Sequence, residues 1–362
     1  MKHESGFTGI SKLRNLFAMT MLGAGLLPAL MSQQVSAAER EFDMTIDEVT
    51  LKVAPNLDYK VFGFNAQVPG PLIHVEEGDD VIVNVMNNSS LPHTIHWHGI
   101  HQKGSWRQDG VPGVTQKPIE AGESFTYKFK ADRIGSLWYH CHVNVNEHVG
   151  IRGMWGPMIV DPKKPLPIEE RVTKDVIMMM STWESSAADK YGDGGTPMDV
   201  ADYFSVNGKS FPMTQPLRVE KGDVVRIRFY GAGGATHAMH SHGHDMLVTH
   251  KDGLPLDAPY YADTVLLGPG ERYDVIIEAD NPGRFIFHDH VDTHVTAGGK
   301  FPGGPITVIE YDGVEMDDWY VWKDKEYDSN FFYSDSLKQG YGMFDHDGFK
   351  GAFPERKRRP RK

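Results

Sequence analysis

Cysteine is almost missing from this 362-residue chain: Cys141 is the only one. That excludes an internal disulfide framework, and an unpaired thiol in an exported protein is a liability unless something such as a metal holds it. Positive charge is also short, with 37 Lys and Arg against 49 Asp and Glu and a net charge of −12. Nucleic acid and anionic membrane are therefore disfavoured as partners. No segment after residue 31 matches the apolar run from Leu16 to Met31, so no membrane span is expected in the mature form. Nor does any long stretch carry a 3.6-residue apolar period, which argues against a helical protein.

The N-terminus itself reads as an export signal. Lys12 and Arg14 precede the apolar run, and Val35-Ser36-Ala37-Ala38 supplies small residues for cleavage. Residues 1–38 are expected to be a signal peptide, and the mature protein to be periplasmic or secreted. The basic tail Arg356-Lys357-Arg358-Arg359-Pro360-Arg361-Lys362 reads as a disordered terminus.

What the chain does have is a set of soft metal ligands around its lone thiol. Trp138-Tyr139-His140-Cys141-His142 is followed by His148 and Met154. A thiolate, imidazoles and a thioether suit copper, in a His₂Cys site with a weak axial Met of the kind used for electron transfer. Strand alternation sends the two flanking histidines away from the sulfur, where they can bind other ions while staying covalently wired to it. His93 fits the second imidazole of that site.

The pattern occurs twice. Glu77-Gly78-Asp79, then His93-Thr94-Ile95-His96-Trp97-His98-Gly99, is repeated as Lys221-Gly222-Asp223, then His237-Ala238-Met239-His240-Ser241-His242-Gly243, at an offset of 144. His140-Cys141-His142 matches His288-Asp289-His290 at an offset of 148. Repeats of this length are duplicated domains. Short β-rich runs such as Val81–Val85 and Phe125–Phe129, between Gly, Pro, Asn and Asp turns, predict an all-β protein of two Greek-key sandwiches. The expected domains span 41–162 and 170–312, joined by a Pro-Lys-Lys-Pro-Leu-Pro linker, with 313–362 as an irregular C-terminal arm.

Four His-X-His pairs stand at equivalent places: His96/His98, His140/His142, His240/His242 and His288/His290. Residues i and i+2 of a strand point the same way, so each pair offers two imidazoles on one face. Eight imidazoles suit three copper ions. Asp109, just after the first pair, is a candidate for orienting water or relaying protons, or else a turn residue. The run Met178-Met179-Met180 reads as core of a strand, and His101 and His244 as supporting or solvent-facing residues.

These motifs resemble those of the multicopper oxidases over nearly all of residues 41–312. The resemblance implies a type 1 copper on His93, Cys141, His148 and Met154. It implies a type 2 copper on His96 and His240, and a type 3 pair on His98, His140, His142, His242, His288 and His290. The fold implied is two cupredoxin-like domains, assembled as a homotrimer with the three-copper cluster between subunits. In the second repeat Asp289 replaces the cysteine and Gly299 stands where an axial ligand is expected, so only domain 1 can hold a type 1 site. A laccase-like activity follows: one-electron oxidation of a small reducing substrate, metal ion or electron-transfer protein, coupled to four-electron reduction of O₂. Copper nitrite reductase is the alternative, since the wide Cys141–His148 spacing leans that way. A copper carrier is the non-enzymatic alternative.

Overall fold

A computed structural model describes residues 37–191, 201–315 and 317–322. Most of the expected signal peptide, and the C-terminal arm beyond 322, lie outside the described residues. The first half contributes eight strands: β1 (Glu39–Ala54), β2 (Leu57–Phe64), β3 (Ile73–Glu76), β4 (Asp80–Asn87), β5 (His96–His98), β6 (Ser124–Lys130), β7 (Gly135–His140) and β8 (Trp155–Asp161). They form two sheets, ordered β2-β1-β4-β6 and β3-β8-β7-β5. The second half adds β9 (Lys174–Trp183), β10 (Tyr203–Val206), β11 (Leu217–Val219), β12 (Val224–Gly231), β13 (His237–Ser241), β14 (Met246–Lys251), β15 (Leu254–Ala262), β16 (Thr264–Leu267), β17 (Arg272–Glu278), β18 (Arg284–Asp289) and β19 (Ile306–Tyr311). Their sheets run β10-β9-β12-β17-β14-β15 and β11-β19-β18-β13-β16.

The alternation that predicts these strands also faces them inward. Val81, Val83 and Val85 of β4 are buried while Ile82, Asn84 and Met86 are not, and β-branched side chains suit such a pleated, half-buried surface. Burying each inward valine contributes about 1.5–3 kcal/mol. The turns at Gly78 and Gly222 hold φ of +89° and +97°, a region where only glycine is free of strain. The turn chemistry is thus duplicated along with the strands.

The register of the second sheet in each half positions the histidines. In the β5–β7 pair His96 lies opposite His140, and in the β13–β18 pair His240 lies opposite His288. Cys141 and His142 follow directly on β7, and the Cys141 N–H bonds the Met154 carbonyl at 3.1 Å. The matching bond in the second half runs from Asp289 N–H to the Pro305 carbonyl, also at 3.1 Å. Pro305 is therefore the counterpart of Met154, a correction to the expectation that places Gly299 there. Insertions in the 291–304 loop hide the correspondence from simple offset counting.

The halves share a core as well as a fold. Trp138, Trp155 and Ile159 pack in one buried cluster with Val176, Met178, Met179 and Met180, so the methionine run is core, as read. Strand β7 is further tied across the junction. Ser136 Oγ donates to Asp274, Arg228 donates to Ser136 Oγ at 2.8 Å, and Arg272 Nε donates to the Ser136 carbonyl at 3.2 Å. Arg228 is buried against Asp175 and Asp274, which compensates its charge. Beyond β19, Tyr320 and Trp322 pack on Ile306 and Val308. No helix among the described residues is long and apolar enough to cross a membrane.

Candidate metal centres

Three groups of ligating side chains converge. The first is His93, Cys141 and His148, all buried, with one donor atom from each within 4.8 Å of the others. His93 Nδ1 lies 3.6 Å and His148 Nδ1 3.5 Å from Cys141 Sγ. Two ligands bonded to one ion at about 2.0 and 2.3 Å, at tetrahedral to trigonal angles, stand roughly 3.5–3.7 Å apart. The donor set and spacing therefore fit a copper ion. Met154 is fully buried in the same core cluster as Cys141.

The surroundings prepare these ligands. Ser89 Oγ lies 2.8 Å from His93 Nε2, which turns Nδ1 toward the sulfur. The Val143 N–H points at Sγ at 3.4 Å. Burial pushes the His93 imidazole down to about 2 and, with a smaller push from Arg152, His148 to about 4, so both are neutral and free to ligate. Burial also raises the Cys141 thiol to about 11. A cation beside the sulfur reverses that penalty, because metal ligation deprotonates a thiol outright.

The second group is His96, His98 and His140, with His142 packed against it, its ring 5.5 Å from His96 and 6.0 Å from His140. His96 Nδ1 donates to the Asp109 carbonyl at 2.8 Å and His140 Nδ1 to the Cys141 carbonyl at 2.7 Å. Both bonds leave Nε2 as the free donor. His98 Nδ1 lies 3.4 Å from His140 Nε2, again the spacing of two ligands on one ion. Burial first, then Arg272, lowers His98 to about 3. Asp109 thus backs His96, by its carbonyl and by a carboxylate oxygen 3.4 Å from Nδ1.

The second half repeats this quartet. His240, His242, His288 and His290 cluster in edge-on and tilted contacts with ring centroids 4.8–5.7 Å apart. His240 Nδ1 faces the Asp263 carbonyl at 2.9 Å and His288 Nδ1 the Asp289 carbonyl at 2.9 Å, so the same nitrogens are left free. His242 and His290 are exposed. His244 is buried instead of solvent-facing, with Nε2 2.6 Å from Tyr311 Oη and Nδ1 3.2 Å from the His242 carbonyl; His101 is exposed beside Arg133. Among the described residues, no ring contact joins the two quartets within one chain.

The third group, His237, Asp289 and His294, occupies the place of the first in the second half. Asp289 Oδ2 accepts Nδ1–H from His237 at 2.6 Å and from His294 at 2.8 Å. Its other oxygen accepts the N–H of Ala238 and Val291. The carboxylate is saturated and the group has closed to hydrogen-bond distance.

Ser89, Phe62 and Arg272 escape the sequence reading. Ser89 lies in an ordinary Asn-Asn-Ser-Ser turn, and nothing in the spacing marks it. Phe62 packs its ring against both His93 and His148, at 4.8 and 5.1 Å.

Two sandwiches of cupredoxin-like architecture, a buried Cys-His₂ group and paired histidine quartets place the chain among copper-binding proteins of the cupredoxin fold. The multicopper oxidase family descriptions match residues 45–165 and 181–300. The chain is 88% identical to the multicopper oxidase mgLAC, covering 87% of this chain and all of that one, with a TM-score of 0.81. It is 58% identical to the blue copper oxidase of Nitrosomonas europaea, covering 86% and 99%, with a TM-score of 0.80. Laccase-2 of Botryotinia fuckeliana is 34% identical over 262 residues, 67% of this chain and 43% of that protein. This chain belongs to the multicopper oxidase family. It spans about 43% of the length of such curated relatives.

Proposed function

We propose that the protein is a laccase-like oxidase, coupling one-electron oxidation of a reducing substrate to four-electron reduction of O₂ to water. The observation that carries this reading is the bond between Cys141 and His140. It joins the thiolate group to the histidine quartet through one carbonyl, so an electron delivered at the sulfur has a covalent route and a hydrogen-bonded one to the neighbouring imidazoles. His93, Cys141, His148 and Met154 would hold a type 1 copper. His96 and His240 would hold a type 2 ion, and His98, His140, His142, His242, His288 and His290 a type 3 pair. When bound, these coppers supply one-electron storage at the first site and four-electron delivery to O₂ at the second.

The chain's own contribution is positional. Nδ1 bonds from His96, His140, His240 and His288 to backbone carbonyls fix which nitrogen faces the metal, a role that second-shell partners commonly fill. Asp109 stands where it can pass protons toward the quartet through water. Each quartet is half of an eight-histidine set, and the second lies open at the surface. Opposing the quartets of neighbouring subunits in a closed ring completes the cluster, which supports a homotrimer. Export to the periplasm or the medium accords with the N-terminal segment.

The test is copper content with oxygen uptake. About four coppers per subunit and O₂ consumption with a reductant support the oxidase. About two coppers with nitrite turnover identify a reductase instead, and copper binding without any O₂ consumption identifies a carrier.

A further inference from the structure

The proposed thiolate centre is sealed. His93 and Cys141 are 0% exposed and His148 1%, so no ligand edge reaches solvent. His148 Nε2 is buried without a hydrogen-bond partner. It is a polar nitrogen within reach of nothing that bonds it.

The seal has two layers: Phe62 of the first half lies against His93 and His148, and a segment of the second half covers Phe62. After β9, residues 184–191 cross back over β2. The Ala188 carbonyl accepts Lys60 N–H at 2.8 Å, the Asp189 carbonyl accepts Lys60 Nζ at 3.1 Å, and Thr182 Oγ1 donates to the Gly150 carbonyl at 2.9 Å. Tyr191 is the last residue described in this segment. Its hydroxyl faces the carbonyls of Val49 and Val61, each at 3.3 Å. Its ring lies 4.8 Å from that of Phe62, which in turn touches His93 and His148. The Arg152 guanidinium, paired with Glu147, lies 5.9 Å from the Tyr191 ring. Of this stack only Tyr191 is partly exposed.

We propose that residues 184–191 are a fixed cap and that Tyr191 determines donor specificity. The cap serves donors that give up an electron from outside it, such as a metal complex at the surface. It excludes phenols that must insert and hydrogen-bond to His148 Nε2. This rests on the oxidase reading. In each event the donor would lose one electron across the Tyr191–Phe62 contact to the copper(II) that His93, Cys141 and His148 would hold, leaving copper(I). No bond forms to the donor, and the oxidised donor leaves.

Two measurements test the cap, using Tyr191→Ala with Tyr191→Phe as the control that keeps the ring. In copper-free protein, diethylpyrocarbonate labelling of His148, followed by mass spectrometry, is expected to be slow in the wild type and in Tyr191→Phe. It should rise about tenfold or more in Tyr191→Ala, because the ring that covers Phe62 and His148 is gone. In copper-loaded protein, kcat/KM for 2,6-dimethoxyphenol should rise about tenfold, about 1.4 kcal/mol of barrier, while that for hexacyanoferrate(II) moves less than about twofold. Rapid labelling of wild-type His148, or an unchanged ratio of the two donors in Tyr191→Ala, overturns the proposal. Labelling needs no catalysis. A wild type inert toward both donors therefore counts against the oxidase reading, while the labelling result still decides the cap.

Discussion

His140 donates its Nδ1 proton to the carbonyl oxygen of Cys141 at 2.7 Å, and by that one bond its Nε2 is aimed at the quartet. Two adjacent residues therefore join two different groups of potential ligands, because alternation along the end of β7 faces them apart. Their bond also fixes the tautomer of His140, the most buried imidazole of its quartet.

The first prediction concerns the sulfur. Cys141→Ser keeps the size of the side chain and the backbone bonds of Cys141, so copper-free stability should change by less than about 1 kcal/mol. The intense thiolate-to-copper absorption should vanish. O₂ consumption should fall by about a thousandfold or more, an increase in barrier of about 4 kcal/mol. Copper should drop by about one ion per subunit, since the quartets keep their ligands. Absorption spectra, metal analysis and an oxygen electrode check this, and a variant that stays blue and active defeats the electron route.

The second prediction is a pH dependence with a fixed sign. Burial lowers His93 to about 2 and His148 to about 4, below their ordinary value of 6.5. The unfolded chain then binds more protons, so stability rises with pH. The contribution is complete above pH 6.5 and is lost as pH falls from there toward the folded values. By pH 5 each of these two groups should remove on the order of 1–2 kcal/mol from copper-free protein. Urea unfolding between pH 7.5 and 5 measures the slope. Copper loading should flatten this limb, because a metal-bound nitrogen cannot take the proton. A copper-free protein equally stable across this window contradicts the neutral-imidazole account.

The sequence makes the chemistry legible and leaves the geometry around it hidden. Four His-X-His pairs and a lone Cys between histidines survive as readable signals because strand periodicity converts spacing directly into direction. The two sandwiches are legible for the same reason, from valine alternation and repeated Gly-Asp turns. Ser89, Phe62, Tyr191 and Arg272 are not, since each acts across a fold contact between residues distant in sequence. The Tyr191–Phe62 contact joins the two halves of the chain, and no local pattern encodes a neighbour from the other repeat. Pro305 was obscured differently, by unequal loop lengths that break the offset between copies.

The third prediction separates two roles of one residue. Asp109 holds His96 by its backbone carbonyl, which Asp109→Asn preserves, while removing the carboxylate beside Nδ1. Copper content and blue colour should stay as in the wild type. The rate of O₂ reduction should fall about a hundredfold, with a changed pH profile, the size of effect expected when a proton-transfer group is lost. Gly110→Ala should behave otherwise. A Cβ there meets the Ile95 carbonyl oxygen at 1.9 Å on a backbone with φ of +82°, so the turn carrying Asp109 must shift. Copper should then be lost from the quartet, with about 3 kcal/mol or more of stability. If Asp109→Asn loses copper as readily, the carboxylate is structural and has no part in proton supply.

The fourth prediction turns on Asp289, which does for the second half what an ion is proposed to do for the first. Its carboxylate draws together His237 and His294 and caps the N–H groups of Ala238 and Val291, immediately beside the proposed ligands His288 and His290. Those hydrogen bonds hold the carboxyl well below its usual range despite its burial. Asp289→Ala leaves two imidazole N–H groups and two backbone N–H groups without that acceptor, and should cost about 2–4 kcal/mol. Asp289→Asn retains size and one acceptor oxygen but must present N–H₂ on its other arm, so a smaller loss is expected. In both variants the domain 1 centre should keep its full thiolate-to-copper absorption, since Cys141 lies in the other sandwich. Copper analysis should show loss from the quartet side alone, and denaturant unfolding gives the stability change. Bleaching of the blue band in Asp289→Asn would mean that the two halves are coupled through their shared core more tightly than this division of labour allows.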